Sequence, residues 1–297
     1  MTLTGSEISS QPGTWVRALE LAADAGRLLA APGERVLLFG CGTSEFVADA
    51  IAELRERAGL GETHAAYASE LPPGRGYDRV VAISRSGTTT EVLEALAGYE
   101  GRAHRVLITG TPDSPAGRLA EDVLLLDFAD ESSVVQTRFP TSVLILARAA
   151  FGEDVAGLPA RCAEVLSVPL PVDVARVEHF VYLGRGWTRG LAAEAALKIR
   201  EAAQAWAESY PALDYRHGPV AVAGPGSMVW IFGPAAPDLV RDIAGTGAQL
   251  VHSTDDALLQ LVLAQRLAVA LAAHRGLDPD HPRHLTRSVV LQNGAPA

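Results

Sequence analysis

The chain has 297 residues, 48% of them hydrophobic and 20% charged, with a formal net charge of −10 at pH 7. That is apolar material for one large or two ordinary domains, and the acidic excess argues against nucleic acid or an anionic membrane surface as a partner. Two cysteines, Cys41 and Cys162, can build neither a disulfide framework nor a metal cluster by themselves, so a reducing cytoplasm is the expected setting.

In chain order, the polar stretch 1–14 lacks the apolar run of a signal peptide. No uninterrupted apolar run of about 18 residues marks a membrane span. The spacing of Val16, Leu19, Ala22 and Leu28 predicts an amphipathic helix over 15–30, stopped by Pro32-Gly33. A strand over 35–39, the turn Gly40-Cys-Gly-Thr-Ser44 and a helix over 45–57 follow. Strands are then expected at 64–68, 80–83, 105–109 and 123–126, with helices over 91–97 and 141–150. This alternation predicts a parallel sheet covered on both faces. Residues 151–173, with Pro169-Leu-Pro171, read as a link. A second series runs through a strand over 179–183, the turn Gly184-Arg-Gly-Trp-Thr188, a long helix over 191–208, strands over 228–232 and 249–252, and helices over 238–244 and 258–273. Phe39 to Ser44 and Leu183 to Thr188 both read apolar-Gly-x-Gly-x-Ser/Thr, 144 residues apart, which points to an internal duplication. The expected organisation is a first unit over 1–152, a link over 153–173 and a second, shorter unit over 174–297.

Two stretches carry chemistry. Ser84-Arg-Ser-Gly-Thr-Thr-Thr90 packs five hydroxyls and one glycine between a strand and a helix. Unpaired amides at a helix N-terminus, with hydroxyls beside them, hold anions; a plain strand-to-helix turn with Ser/Thr capping has the same composition. No Gly-Lys-Ser/Thr follows, so it is not a Walker A loop. The second stretch is the predicted helix 191–208. It carries Glu194, Lys198, Glu201 and Glu208 at spacings of four, three and seven, which is one helix face. A charged stripe on an alanine-rich helix is also the pattern of a solvated face. The loop after it, Asp214-Tyr-Arg-His-Gly-Pro219, presents His217. A carboxylate and an imidazole near an anion cradle are the groups that shuttle protons on an open-chain sugar. Cys41 has no basic neighbour in sequence and reads as a small buried residue.

Ser84-Arg-Ser-Gly-Thr-Thr89 resembles the Ser-x-Ser-Gly-x-Thr phosphate loop of the SIS (sugar isomerase) domain family. Glu194-Ala-Ala-Leu-Lys-Ile-Arg-Glu201, Ala207-Glu-Ser-Tyr210 and Arg216-His-Gly-Pro219 resemble the isomerase half of glutamine–fructose-6-phosphate amidotransferase, as do Cys41-Gly-Thr-Ser44, Ala68-Ser-Glu70 and the tail Asp280-His-Pro-Arg-His-Leu-Thr-Arg-Ser-Val289. These motifs run in order from about residue 35 to 290. The resemblance implies two SIS-type halves, each a flavodoxin-like, doubly wound αβα sandwich. It implies that Thr43, Ser44, Ser84, Arg85, Ser86 and Thr89 hold a sugar phosphate, that Val134 and Gln136 lie along it, that Glu201 moves a proton between C1 and C2, and that His217 assists ring opening across a homodimer interface. Lys198 and Arg287 are further candidates for catalysis or clamping. No metal and no cofactor are expected.

The pattern departs from that family in two places. No glutaminase half precedes the motifs, so ammonia is not expected to come from glutamine. Arg287 stands where the family has a Schiff-base lysine, and an arginine, always protonated, cannot serve as that amine. The expected function is therefore aldose–ketose isomerisation, or isomerisation and deamination of an amino-sugar phosphate through an enediol or enolamine. The alternative is a sugar-phosphate-binding regulator without turnover.

Overall fold

The computed structural model describes residues 2–291. Strands β1 (Val36–Gly40), β2 (Thr63–Tyr67), β3 (Arg79–Ile83), β4 (His104–Thr109) and β5 (Asp122–Leu125) form one sheet, ordered β2-β1-β3-β4-β5. Strands β6 (His179–Gly184), β7 (Trp206–Pro211), β8 (Ser227–Ile231) and β9 (Gln249–His252) form a second, ordered β7-β6-β8-β9. Every pairing is parallel. The second order repeats the first with its last strand missing. The central strands β1 and β8 are buried along their whole length, as expected of strands covered on both faces.

The helices are α1 (Leu3–Ser9), α2 (Gln11–Glu20), α3 (Ala22–Ala25), α4 (Thr43–Arg57), α5 (Thr90–Gly98), α6 (Arg138–Ala150), α7 (Leu158–Val165), α8 (Thr188–Ala203), α9 (Pro237–Thr246) and α10 (Ala257–His274). The helix expected over 15–30 is thus broken. It starts earlier, with Pro12 in the first turn of α2, where a missing N–H costs nothing. It breaks at Leu21 and ends in a π-turn, Gly26–Ala30, closed by Ala31 at φ 33. The short helix α1 had no counterpart in the sequence reading.

The second difference matters more for the site. The helix expected over 191–208 ends at Ala203, where Gln204 turns left-handed at φ 49. Residues 206–211 pair with β6 as the edge strand β7. Glu208 therefore does not share a helix face with Glu201. Its carboxylate instead accepts from Trp206 Nε1 and Tyr210 Oη and lies 3.2 Å from His179 Nε2. An alanine-rich run favours helix, but main-chain pairing with a neighbouring strand overrides that preference.

One continuous apolar cluster joins the two sheets. It takes in Val36 and Leu38 of β1, Ile51 of α4, Ile145 of α6, Leu191 and Ile199 of α8, Trp230 of β8 and Leu261 of α10. Helix α10 is long and apolar enough, with mean hydropathy 1.5, to cross a membrane by length and composition alone. Its side chains are instead used in packing: 67% of it is buried within the protein, against α8 and α7.

Candidate functional site

The first sheet reverses its winding between β1 and β3, and ligands of open α/β sheets bind beyond the strand ends at such a point. Two turns meet there. After β1, Gly40 lets the chain fold back on itself: a Cβ at Gly40 would lie 2.6 Å from the Cβ of Ser44. A Cβ at Gly184, after β6, would lie 2.1 Å from the Thr188 carbonyl. The repeated Gly-x-Gly-x-Ser/Thr thus has a steric reason in both sheets. After β3 comes Ser84 to Thr89. Gly87 has φ +61, and a Cβ there would meet Ser114 Oγ at 2.2 Å, so only glycine fits.

Within this turn the hydroxyls are organised. Ser84 Oγ accepts from the Gly87 amide at 3.2 Å, and Ser86 Oγ accepts from the Thr88 amide and hydroxyl at 3.3 and 2.9 Å. Thr89 is the extended N-cap residue of α5, and its side chain makes no capping bond. Ser44, Ser84, Ser86, Thr89, Gln136 and Arg287 line a small pocket with Cys41. Burial pushes the Cys41 thiol up to about 11, so it stays neutral near pH 7. The corresponding turn of the second sheet, between β8 and α9, reads Phe232-Gly-Pro-Ala-Ala-Pro237; it has no hydroxyl side chain and so cannot supply those donors.

Arg85 is spent differently from its neighbours. Its Nη1 donates to the Ser133 carbonyl at 2.8 Å and its Nη2 to the Arg287 carbonyl at 3.0 Å, with Glu131 3.9 Å away. Burial lowers its pKa and Glu131 opposes that. Burial in turn raises the Glu131 pKa; this carboxylate caps α6, accepting from Thr137 and Arg138 amides at 2.5 and 2.8 Å. Arg85 thus ties together the two segments that wall the pocket. Val134 is half-buried in one of them. Gln136, two residues on, has its Oε1 buried without a hydrogen-bond partner among the described residues.

The C-terminal tail lies across the turn as a strap. Thr88 Oγ1 donates to Ser288 Oγ at 3.0 Å, the Thr90 amide to the Val289 carbonyl at 3.3 Å, and the Leu291 amide to Thr90 Oγ1 at 2.8 Å. Arg287 pairs with Asp130 at 2.5 Å. The space left beneath is about 40 Å³.

Helix α8 brings the second group of residues against the first turn. Lys198 Nζ lies 2.7 Å from Glu201 Oε2, 3.3 Å from Glu194 Oε1 and 3.1 Å from Thr43 Oγ1. Lys198 and Glu194 are each 1% exposed, so the stripe is not a solvated face. Burial works against the Lys198 ammonium, but the two carboxylates outweigh it and hold its pKa above the usual value. Burial pushes Glu194 up to about 7. Glu201 is more open, with its side chain 19% exposed, and it is the member of the trio that can meet a ligand. His217 is not brought to this cluster by its own chain. It is exposed on the turn Asp214–His217 and lines a separate cleft of about 530 Å³ with Arg185, Arg189 and Arg216.

Residues 29–151 match the SIS domain model. That segment resembles an SIS domain, and most of the chain aligns with about half the length of glutamine–fructose-6-phosphate aminotransferases. The enzyme of Aeropyrum pernix is 31% identical across 93% of this chain and 53% of its own length; that of Gloeobacter violaceus is 28% identical across 87% and 52%. The chain spans about half the length of the curated relatives it matches. Among solved structures, glucosamine-6-phosphate deaminase from Thermotoga maritima superposes with a TM-score of 0.81 at 27% identity, covering 98% of this chain and 100% of that one. Tagatose-6-phosphate ketose/aldose isomerase from Escherichia coli, at 21% identity and TM-score 0.77 over 99% of this chain and 97% of that one, shares the fold.

Proposed function

We propose that this chain is a cytoplasmic sugar-phosphate isomerase-type enzyme whose substrate is an amino-sugar phosphate, which it isomerises and deaminates. The observation that carries this reading is the placement of Glu201 and the Lys198 ammonium, 2.7 Å apart, against Thr43, the neighbour of the pocket-lining Ser44. The similarity to a glucosamine-6-phosphate deaminase over the whole chain supports the same class.

In this reading Ser44, Ser84, Ser86 and Thr89 hold the phosphate. Arg287 and Gln136 lie beside it. Glu201 takes the C2 proton of the opened amino aldose, and the electron pair moves into a C1–C2 double bond, giving an enolamine. Lys198, held protonated between two carboxylates, stabilises the charge on the C1 oxygen. The proton returns at C1, and water adds at C2 as ammonia leaves, so the products are a ketose phosphate and ammonia. The same proton transfer without a C2 amine is an aldose–ketose isomerisation. We also assign the second sheet to a second, shortened SIS unit over 174–297, linked through 153–173 to a first unit over 1–152. A homodimer in which His217 reaches the partner's turn would supply the ring-opening acid.

The test is ammonia release and ketose phosphate formation from glucosamine 6-phosphate, with Glu201→Gln as control. The variant should lose about three orders of magnitude or more in turnover, within the range for a positioned general base, while binding the substrate as before. Binding without turnover by the wild type would instead favour a sugar-phosphate-binding regulator. No binding of any phosphosugar would overturn both readings.

A further inference from the structure

The segment that carries Gln136 to the pocket is gripped from an unexpected direction. Helix α1 places Glu7, which is 5% exposed, against its inner side. The Glu7 carboxylate accepts from the Ser132 amide at 2.6 Å, from the Ser133 amide at 3.3 Å and from the Ser133 hydroxyl. Ser133 is itself 1% exposed, and its carbonyl is the one that Arg85 holds. The same helix is anchored at its start by the tail: Asp280 accepts from the Leu3 amide at 2.7 Å, the Thr4 amide at 2.8 Å and the Thr4 hydroxyl at 2.7 Å.

A buried carboxylate is costly unless several donors satisfy it. Those donors here are the inward-facing amides of a loop with no strand or helix to satisfy them. Glu7 therefore fixes the register of residues 132–133, and with it the point from which the chain turns out towards Gln136. Among the described residues its side chain hydrogen-bonds to the loop and to none of the hydroxyls of Ser84 to Thr89; its one link to that turn runs through the Ser133 carbonyl that Arg85 holds.

We infer that Glu7 is a positioning residue for the sugar-binding part of the site, acting through Ser132 and Ser133 on Gln136, and that α1 links this loop to the tail. The inference rests on the functional reading above. Because Glu7 bonds the loop directly and the hydroxyls of the phosphate turn not at all, its loss separates two ligands. In Glu7→Gln, affinity for glucosamine 6-phosphate should fall about tenfold, the loss expected for weakened hydrogen bonds to a charged acceptor. Affinity for inorganic phosphate, followed by phosphorus NMR titration, should change less than about twofold. The KM for the phosphosugar should rise more than kcat falls. If both ligands weaken equally, or neither does, Glu7 only supports the fold or does nothing for the site, and the inference fails. Should Glu7→Gln not fold, Ser133→Ala removes one donor and leaves α1 intact. It should give the same split at about threefold, and unchanged phosphosugar binding there is equally fatal. A wild type that binds neither probe sinks the functional reading and this inference together. A wild type that binds glucosamine 6-phosphate as tightly as Glu7→Gln does sinks only the inference.

Discussion

Glu194 is a residue whose chemistry departs from its sequence neighbourhood. It sits one helical turn from Lys198 with both oxygens buried, and burial raises its pKa from 4.5 to about 7. Below about 4.5 its carboxyl is protonated in folded and unfolded chains alike. Between there and about 7 the folded chain holds the proton more firmly, so this group's contribution to stability falls as pH rises across that window. Urea unfolding at the two ends of the window should show a larger loss towards neutral pH for the wild type than for Glu194→Gln. Equal slopes would mean that the Lys198 charge compensates the carboxylate fully. The spacing of Glu194, Lys198 and Glu201 was readable from the sequence as a stripe. Whether water or protein covered it was not, because that depends on α4 packing across α8, and α4 lies more than a hundred residues away in the chain.

At the level of elements, the turn after β3 is the most sharply specified. A hydroxyl-rich run with one glycine, between a β-branched strand and an amphipathic helix, dictates a strand-to-helix turn, and Gly87 is where it cannot tolerate a side chain. Gly87→Ala should destabilise the fold by about 2 kcal/mol or more, from the strained φ and the clash with Ser114. Phosphate affinity should fall with it, because Ser84 and Ser86 are held through this same turn. An unchanged melting temperature would show that the loop relaxes freely and is not pre-organised. Helix α8 and strand β7 illustrate the opposite case. Residues 204–207 favour helix locally, yet α8 stops at Ala203 and the chain from Trp206 pairs with the open edge of β6. Helix α1 was invisible for another reason. It is seven residues long with few apolar positions, and its partners are polar groups of a distant loop and the tail, which no local periodicity can report.

At the scale of the whole molecule, one chain does not bring His217 to Glu201, and a homodimer is the proposed remedy. Mixing Glu201→Gln and His217→Ala chains after partial unfolding tests it. Random reassociation makes about half the dimers mixed, each with one intact site if the sites are shared, so about a quarter of wild-type activity should return. No recovery, with both variants shown to be dimeric, would place the His217 imidazole outside the reaction.

The sequence by itself determined the parallel α/β class, the repeated glycine turn and the hydroxyl turn, because each rests on short-range sterics, on strand and helix periodicity, or on the donors a single turn can present. The family resemblance suggested that Glu201 and Lys198 act together with that turn; Lys198 meets Thr43, in the glycine turn after β1. What the tertiary structure alone decided was burial and reach. Long-range packing put Glu194 and Lys198 out of water, gave Arg85 to the Ser133 and Arg287 carbonyls, laid the tail across the turn, and left His217 in a separate cleft. Each of these follows from contacts between residues far apart in the chain, whose free energies no local window contains.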